Sequence, residues 1–259
     1  MAGRLYLVPT PLDFGTQPAE PWPVDRWLPR ETLDVAARLG HWITENAKST
    51  RAFLKRVDQL TPLSRPLQTL QIVELPRESH KKGDHAPGAA DDAAAALLAP
   101  ALQGHDMGLV SEAGMPAIAD PGSAVVRAAH RAGIAVVPLT GPVSLMLALA
   151  ASGLNGQSFA FVGYVPQGAS ERALRLRELE THVQRTGQTQ ILIETPYRNE
   201  ALLDALIGTL QANTRLAVAC GLGLPEQTIQ SALVRDWKGQ AAKRQALALG
   251  LPAVFLIGR

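Results

Sequence analysis

Short apolar runs alternate with longer amphipathic stretches along the 259 residues. Arg4–Val8, His41–Glu45, Leu67–Leu75, Met107–Ser111 and Ile134–Pro138 are ended by turn residues and predict strands, the last two buried on both faces. Ala47–Val57, the alanine-rich run Ala89–Gln103 and Pro121–Gly133 predict helices between them; the last opens on proline and closes on glycine, as helices prefer. Pro142–Leu154 predicts a helix apolar on all sides. Strands at Phe159–Tyr164, Gln190–Glu194, Leu216–Ala219, Thr228–Val234 and Ala253–Ile257 follow, with helices at Glu171–Val183 and Asn199–Leu210. In the second of these helices Leu203, Leu206, Ile207 and Leu210 fall at i, i+3, i+4 and i+7. Residues 15–30, with Pro18, Pro21, Pro23 and Pro29, predict an irregular arm. This alternation is that of an α/β protein.

Two glycine/proline-rich loops follow two of the strands: Ser111–Gly122 and Leu139–Ser144. In open parallel sheets, ligands sit beyond the carboxyl ends of the strands, so both loops lie on the predicted ligand edge. Each loop alone is explained as a simple turn. Two on one edge point to a backbone-lined pocket.

The run SEAGMPAIADPG at Ser111–Gly122 and the run VVPLTGPVSLMLALAASGL at Val136–Leu154 resemble the tetrapyrrole methylase superfamily, whose members use S-adenosylmethionine (SAM). Within it they are similar to the small-subunit ribosomal RNA ribose 2'-O-methyltransferases, which read SDAGTPxxxDPG and VxPLPGPxAxxxALxxSGL. The opening Leu5–Pro11, the segment Ile193–Arg198 and the closing strand Pro252–Ile257 also match, so the likeness runs in order over nearly the whole chain. It implies two α/β domains, expected at 1–116 and 117–259 with the linker within Pro116–Gly122, SAM in the cleft between them, and a homodimer.

Residue by residue, the resemblance implies cofactor contacts from Pro9 and Pro11 of the first turn. From the second loop it implies Ser111, Glu112, Ala113, Gly114 and Pro116, and from the third Gly141, Pro142, Val143 and Ser144. Glu194, Thr195 and Ala253 fall where the family borders the adenosine. Valine at Gly114 or Gly141 is expected to abolish donor binding while leaving the protein folded.

Departures bear on the acceptor. Glu112 stands for the branch's aspartate and Met115 for its threonine; Pro9–Phe14 lacks the glycine and asparagine of PTPIGN; Thr44–Arg51 replaces AEDTR. The branch carries a small module after its closing strand, whereas this sequence stops at Arg259. Methylase chemistry is compatible with all of these, while the acceptor stays open between RNA and a small molecule such as a tetrapyrrole. A catalytically silent SAM sensor or scaffold would keep the same loops.

Composition adds bounds. With 46% apolar residues the chain can fill a substantial core. The first apolar run is short and broken by Pro9 and Pro11, and Pro142–Leu154 falls short of the ~18 residues of a membrane span. A cytoplasmic protein with no membrane segment is expected. Cys220 is the single cysteine, which excludes an internal disulfide and reads as a buried, inert thiol. The six histidines show no metal-ligand spacing, and no metal is expected. No Walker-type G-x-x-x-x-G-K-[ST] run occurs, which argues against an NTPase.

The net charge of +2 permits nucleic-acid contact without requiring it. Lys48, Arg51 and Lys55, at i, i+3 and i+7, form a basic stripe that either tracks RNA phosphates or is a solvated helix face. Ser79–His85 is a polar loop that reads as a lid, an RNA contact or plain surface. Tyr6, Tyr164 and Tyr197 give few stacking platforms, and the 5% aromatic content argues against a single-strand-binding surface. Transfer to a ribose hydroxyl needs a base to remove its proton; Glu45 and Asp120 are the candidates, Glu45 first because it lies at a predicted strand end beside the basic stripe. Asp120 also reads as a cap for the helix opening at Pro121.

Overall fold

The computed structural model describes residues 2–13, 22–76, 89–239 and 241–259. The expected loop Ser79–His85 and residues 15–21 of the expected arm lie outside them. The chain divides into two compact units, Met1–Val143 and Ser144–Arg259.

In the first unit, β1 (Arg4–Leu7), β2 (His41–Thr44), β3 (Gln71–Glu74), β4 (Met107–Val110) and β5 (Ala135–Pro138) form one sheet in the order β3-β2-β4-β1-β5. Every pairing in it is parallel. Adjacent residues point to opposite faces of a strand, and two cores result. Tyr6, Val8, Trp42 and Val110 pack with α1 (Arg30–Arg38) and α2 (Ala47–Asp58). Leu5, Ile43 and Leu109 pack on the other face with Leu98, Ala101 and the apolar side of α5 (Ser123–Arg131). Gly108 makes room for Trp42: a Cβ there would lie 2.5 Å from the indole ring.

The elements differ from expectation in places. The predicted strand Leu67–Leu75 opens as a 3-10 turn at Leu67–Thr69 before β3. The alanine-rich run divides into α3 (Ala89–Leu97) and α4 (Ala99–Leu102), with Pro100, which has no N–H to donate, in the first turn of α4. Helix α1 was not expected; it starts directly after Pro29. Helix α5 begins beyond Pro121, and the residue at its N-cap position is Gly122, at φ +135°, rather than Asp120.

The division falls at Val143/Ser144 and not within Pro116–Gly122, because β5 hydrogen-bonds along β1 and so extends the first sheet.

The second unit contains α6 (Ser144–Ser152), β6 (Phe159–Gly163), α7 (Ala169–Thr186), β7 (Thr189–Glu194), α8 (Asn199–Thr209), β8 (Arg215–Cys220), β9 (Thr228–Leu233), α9 (Val234–Gly239), α10 (Ala241–Gln245) and β10 (Ala253–Gly258). Its sheet has the order β6-β7-β10-β8-β9; β6 and β7 run parallel and the other pairs antiparallel. Leu176, Leu179, Val183, Leu203, Leu206, Val218 and Phe255 share its core. Glu180 is buried there, accepting from the Gln211 N–H at 2.8 Å and from the Thr214 hydroxyl. Cys220 is buried on β8, and burial pushes its thiol up to about 11, as an inert thiol requires.

Candidate functional site

Three loops converge at the carboxyl ends of β1, β4 and β5. The loop after β1 is tied to the loop after β4 by a reciprocal pair of backbone hydrogen bonds, Thr10 N–H to Gly114 O at 2.9 Å and Gly114 N–H to Thr10 O at 3.1 Å. The loop after β5 is fastened by the Thr32 hydroxyl, which donates to Thr140 O at 2.8 Å. A Cβ on Gly141 would lie 2.2 Å from Pro9 Cγ, so this glycine lets the first and third loops close on each other. Gly114, at φ +75°, is in the left-handed region, and a Cβ there would meet Leu12 at 3.2 Å. Both glycines thus serve contacts within the protein. Valine at either would strain the loop itself.

The loop after β4 is conformationally costly. Ala117 (φ 65°) and Ala119 (φ 63°) are non-glycine residues held left-handed, a strain that clusters at functional sites. Between β4 and α5 this loop carries Ser111, Glu112 and Asp120, and Glu45 joins them from the end of β2. Glu45 Oε2 accepts the Glu112 N–H at 3.0 Å, clamping the start of the loop. Asp120 is half-buried. Burial, reinforced by the Glu45 charge, pushes its carboxyl from 3.8 up to about 7; the Ser111 hydroxyl opposes the rise and Glu112 adds to it. Ser111 Oγ is itself buried and makes no hydrogen bond of normal geometry among the described residues. It is near enough to Asp120 to lower that carboxyl's proton affinity.

The first unit therefore brings together Pro9, Pro11, Ser111, Glu112, Ala113, Gly114, Pro116, Gly141, Pro142 and Val143 with both base candidates, Glu45 and Asp120. Sequence reasoning missed Thr10, Ala117 and Ala119. Thr10 lies inside the quoted Pro-Thr-Pro turn, but a backbone pairing to a distant loop leaves no mark in side-chain pattern.

The remaining candidates belong to the second unit. Ser144 opens α6. Glu194 ends β7 directly opposite Ala253 of β10, so these two meet as cross-strand neighbours. One oxygen of Glu194, Oε1, accepts from Thr195 N–H (2.8 Å), Thr195 Oγ1 (3.3 Å), Arg198 Nε (3.0 Å) and Arg198 NH2 (2.7 Å). That carboxylate is committed to holding Arg198.

On α2, Asn46 caps the helix by accepting from Lys48 N–H at 2.9 Å and Ser49 N–H at 3.2 Å, and Lys48, Arg51 and Lys55 are exposed. A cavity of about 480 Å³ lies elsewhere, between α1 and the β1–β5 edge, lined by Arg4, Arg30, Arg38 and Asp34 among others. Much of its charge is spent internally: Arg30 pairs with Asp34 at 2.8 Å, and Arg38 donates to Tyr6 Oη at 2.7 Å. The strained loop with its orphan hydroxyl and near-neutral carboxyl is the better candidate site. Among the described residues no group of three metal-ligating side chains forms, and no helix is long and apolar enough to cross a membrane.

Residues 42–237 match the family model for tetrapyrrole (corrin/porphyrin) methylases. The chain is 32% identical over 205 residues to ribosomal RNA small subunit methyltransferase I of Halalkalibacterium halodurans, covering 79% of this chain and 60% of that protein. It is 36% identical over 145 residues to the protein of the same name from Pseudomonas aeruginosa, covering 55% of this chain and 50% of that one. The chain thus spans between about half and three-fifths of these curated relatives. Among solved structures, uroporphyrin-III-C-methyltransferase from Thermus thermophilus superposes with a TM-score of 0.53 at 19% identity, over 99% of this chain and 94% of that one. The methyltransferase CobJ gives 0.54 at 18% identity, over 100% and 95%. At such identities the structural likeness concerns the fold.

Proposed function

The chain belongs to the tetrapyrrole (corrin/porphyrin) methylase family, and on that premise we propose that it is a SAM-dependent methyltransferase acting on RNA, at a ribose 2'-hydroxyl of ribosomal RNA. One observation carries the reading: the strained loop at the carboxyl end of β4 holds a carboxyl, Asp120, with a proton affinity near neutrality. The names of the relatives support an RNA acceptor.

The residues fit the donor. Its methionine end carries an ammonium and a sulfonium, which suit the acidic Glu45, Glu112 and Asp120, and the unsatisfied Ser111 hydroxyl can serve its carboxylate. Ser111, Glu112, Ala113, Gly114 and Pro116 would hold it, with Pro9, Pro11, Gly141, Pro142 and Val143 around them. Ser144, Glu194, Thr195 and Ala253 are retained for the adenosine on the family resemblance. When bound, SAM supplies an electrophilic methyl group.

The protein's own work is alignment and proton removal. Thr10, Gly114 and the Gly141–Pro9 contact lock the loops, so that no loop has to reorganise as the donor and the acceptor oxygen are brought into line. Asp120 takes the hydroxyl proton as the oxygen attacks, and a carboxyl near 7 is matched to that task. Glu45 positions the loop through Glu112 N–H and raises the proton affinity of Asp120.

The exposed Lys48–Arg51–Lys55 face is assigned to phosphate contact. The reading includes a cytoplasmic homodimer, as the resemblance implies; sedimentation as a monomer would remove the dimer. The central test is calorimetry with SAM and S-adenosylhomocysteine, followed by labelled-methyl transfer to hypomethylated small-subunit ribosomal RNA and to tetrapyrroles. Binding with label in RNA is expected. Absence of binding by folded protein, or label only in tetrapyrrole, would overturn the reading.

A further inference from the structure

We infer that Tyr164, Tyr197 and Arg198 of the second unit form a stacking platform for an unpaired base of the RNA acceptor, an inference that rests on the RNA-methyltransferase reading above. Strands β6 and β7 are parallel neighbours, with Gly163 opposite Leu192. The chain therefore emerges from both at the same edge of the sheet, with Tyr164 directly after β6 and Tyr197 in the 3-10 turn Pro196–Arg198 just beyond β7. These two rings are the most exposed aromatic side chains among the described residues, Tyr197 at 81% and Tyr164 at 58%, whereas Tyr6 is buried at 4%.

Tyrosine, with an apolar ring and a polar tip, is enriched on surfaces that meet a partner. Arg198 completes the surface. Its guanidinium carbon lies 5.4 Å from the Tyr197 ring centroid, and Nε and NH2 are both fastened to Glu194 Oε1. The guanidinium is thus oriented in advance, over the Tyr197 ring, by a carboxylate that is 6% exposed.

Aromatic rings and guanidinium planes are the groups on which single-stranded RNA bases stack. A phosphate-binding surface would instead present cations without aromatic faces. A protein-docking surface would present aliphatic side chains around the rings. Along the chain Tyr197 is flanked by Pro196 and Arg198, with Thr195 opening the turn, which suits a flat heterocycle and its flanking phosphate.

The test uses the full chain and a short single-stranded oligoribonucleotide carrying 2-aminopurine, whose fluorescence is quenched on stacking, with a fully paired RNA hairpin as control. Tyr197→Ala and Tyr164→Ala are each expected to weaken single-strand binding by about 5- to 100-fold. They should abolish the quench, leave hairpin binding unchanged, and leave calorimetric binding of S-adenosylhomocysteine unchanged. Tyr197→Phe keeps the ring and should restore binding. Wild-type affinity and quench in both alanine variants would overturn the platform while leaving RNA methylation intact. Loss of S-adenosylhomocysteine binding in step with RNA binding would overturn it too, assigning the rings to the adenine of the cofactor. A wild-type protein that binds SAM and neither RNA would defeat the RNA reading and the platform together.

Discussion

Replacing Asp120 by asparagine removes a carboxyl whose proton is held more tightly in the folded protein than in the unfolded chain. Its folded pKa of about 7 stands above the ordinary 3.8, so between these limits the native state binds more protons than the unfolded state. Stability from this group is therefore largest at low pH, falls as pH rises from about 4 to about 7, and stays reduced above. Each pH unit of separation carries about 1.4 kcal/mol, which sets a ceiling of about 4 kcal/mol. Asp120 is only half-buried, and solvent screening brings the expected penalty to about 2 kcal/mol. Urea unfolding of wild type and Asp120→Asn at pH 4, 6 and 8 measures it. The two should be nearly equal at the lowest pH, with the variant gaining by about 2 kcal/mol at the highest, or several degrees in Tm. Methyl transfer by the variant should fall by about 100-fold or more for loss of a general base. A stability difference that does not change with pH would refute the argument, because it would mean that Asp120 ionises as freely in the fold as in water.

Glu45→Gln removes the like charge that helps raise Asp120, so the acid limb of the pH–rate profile should move to lower pH; an unmoved limb counts against their coupling. Gly141→Ala places a methyl 2.2 Å from Pro9 Cγ, and overpacking of this kind should cost about 1–3 kcal/mol in thermal unfolding and weaken SAM binding together. Glu180→Ala strands the Gln211 N–H and the Thr214 hydroxyl in the second unit's core; a loss of about 2–4 kcal/mol is expected by urea titration, and a neutral result would mean that water replaces the carboxylate. Cys220 should react with a thiol reagent only after unfolding, since it is buried with its thiol pushed up to about 11; stoichiometric labelling of native protein would contradict this.

Local pattern carried most of the fold. Apolar runs, proline and glycine punctuation and helical spacing depend on near neighbours, so the strands and all the long helices except α1 were legible from order alone. The resemblance located the three loops for the same reason: glycine and proline are needed where backbone must turn or approach closely. Helix α1 escaped because proline crowds the residues before it, and nothing in Arg30–Arg38 outweighs that signal until Leu33, Ala36 and Ala37 find the sheet.

What tertiary structure alone decided is the meaning of the loop residues. Sequence identified Gly141 as special but not that Pro9 is the reason, since their contact joins distant turns. It placed Glu45 ahead of Asp120, for its strand-end position beside the basic stripe. The fold gives Glu45 a backbone N–H to hold and gives Asp120 burial beside another carboxylate, which raises the proton affinity of Asp120. Likewise, three tyrosines of equal standing in the chain become one buried ring and two exposed ones at a shared sheet edge. Burial and proximity depend on which strands become neighbours, and that is a property of sheet order rather than of any local run of residues.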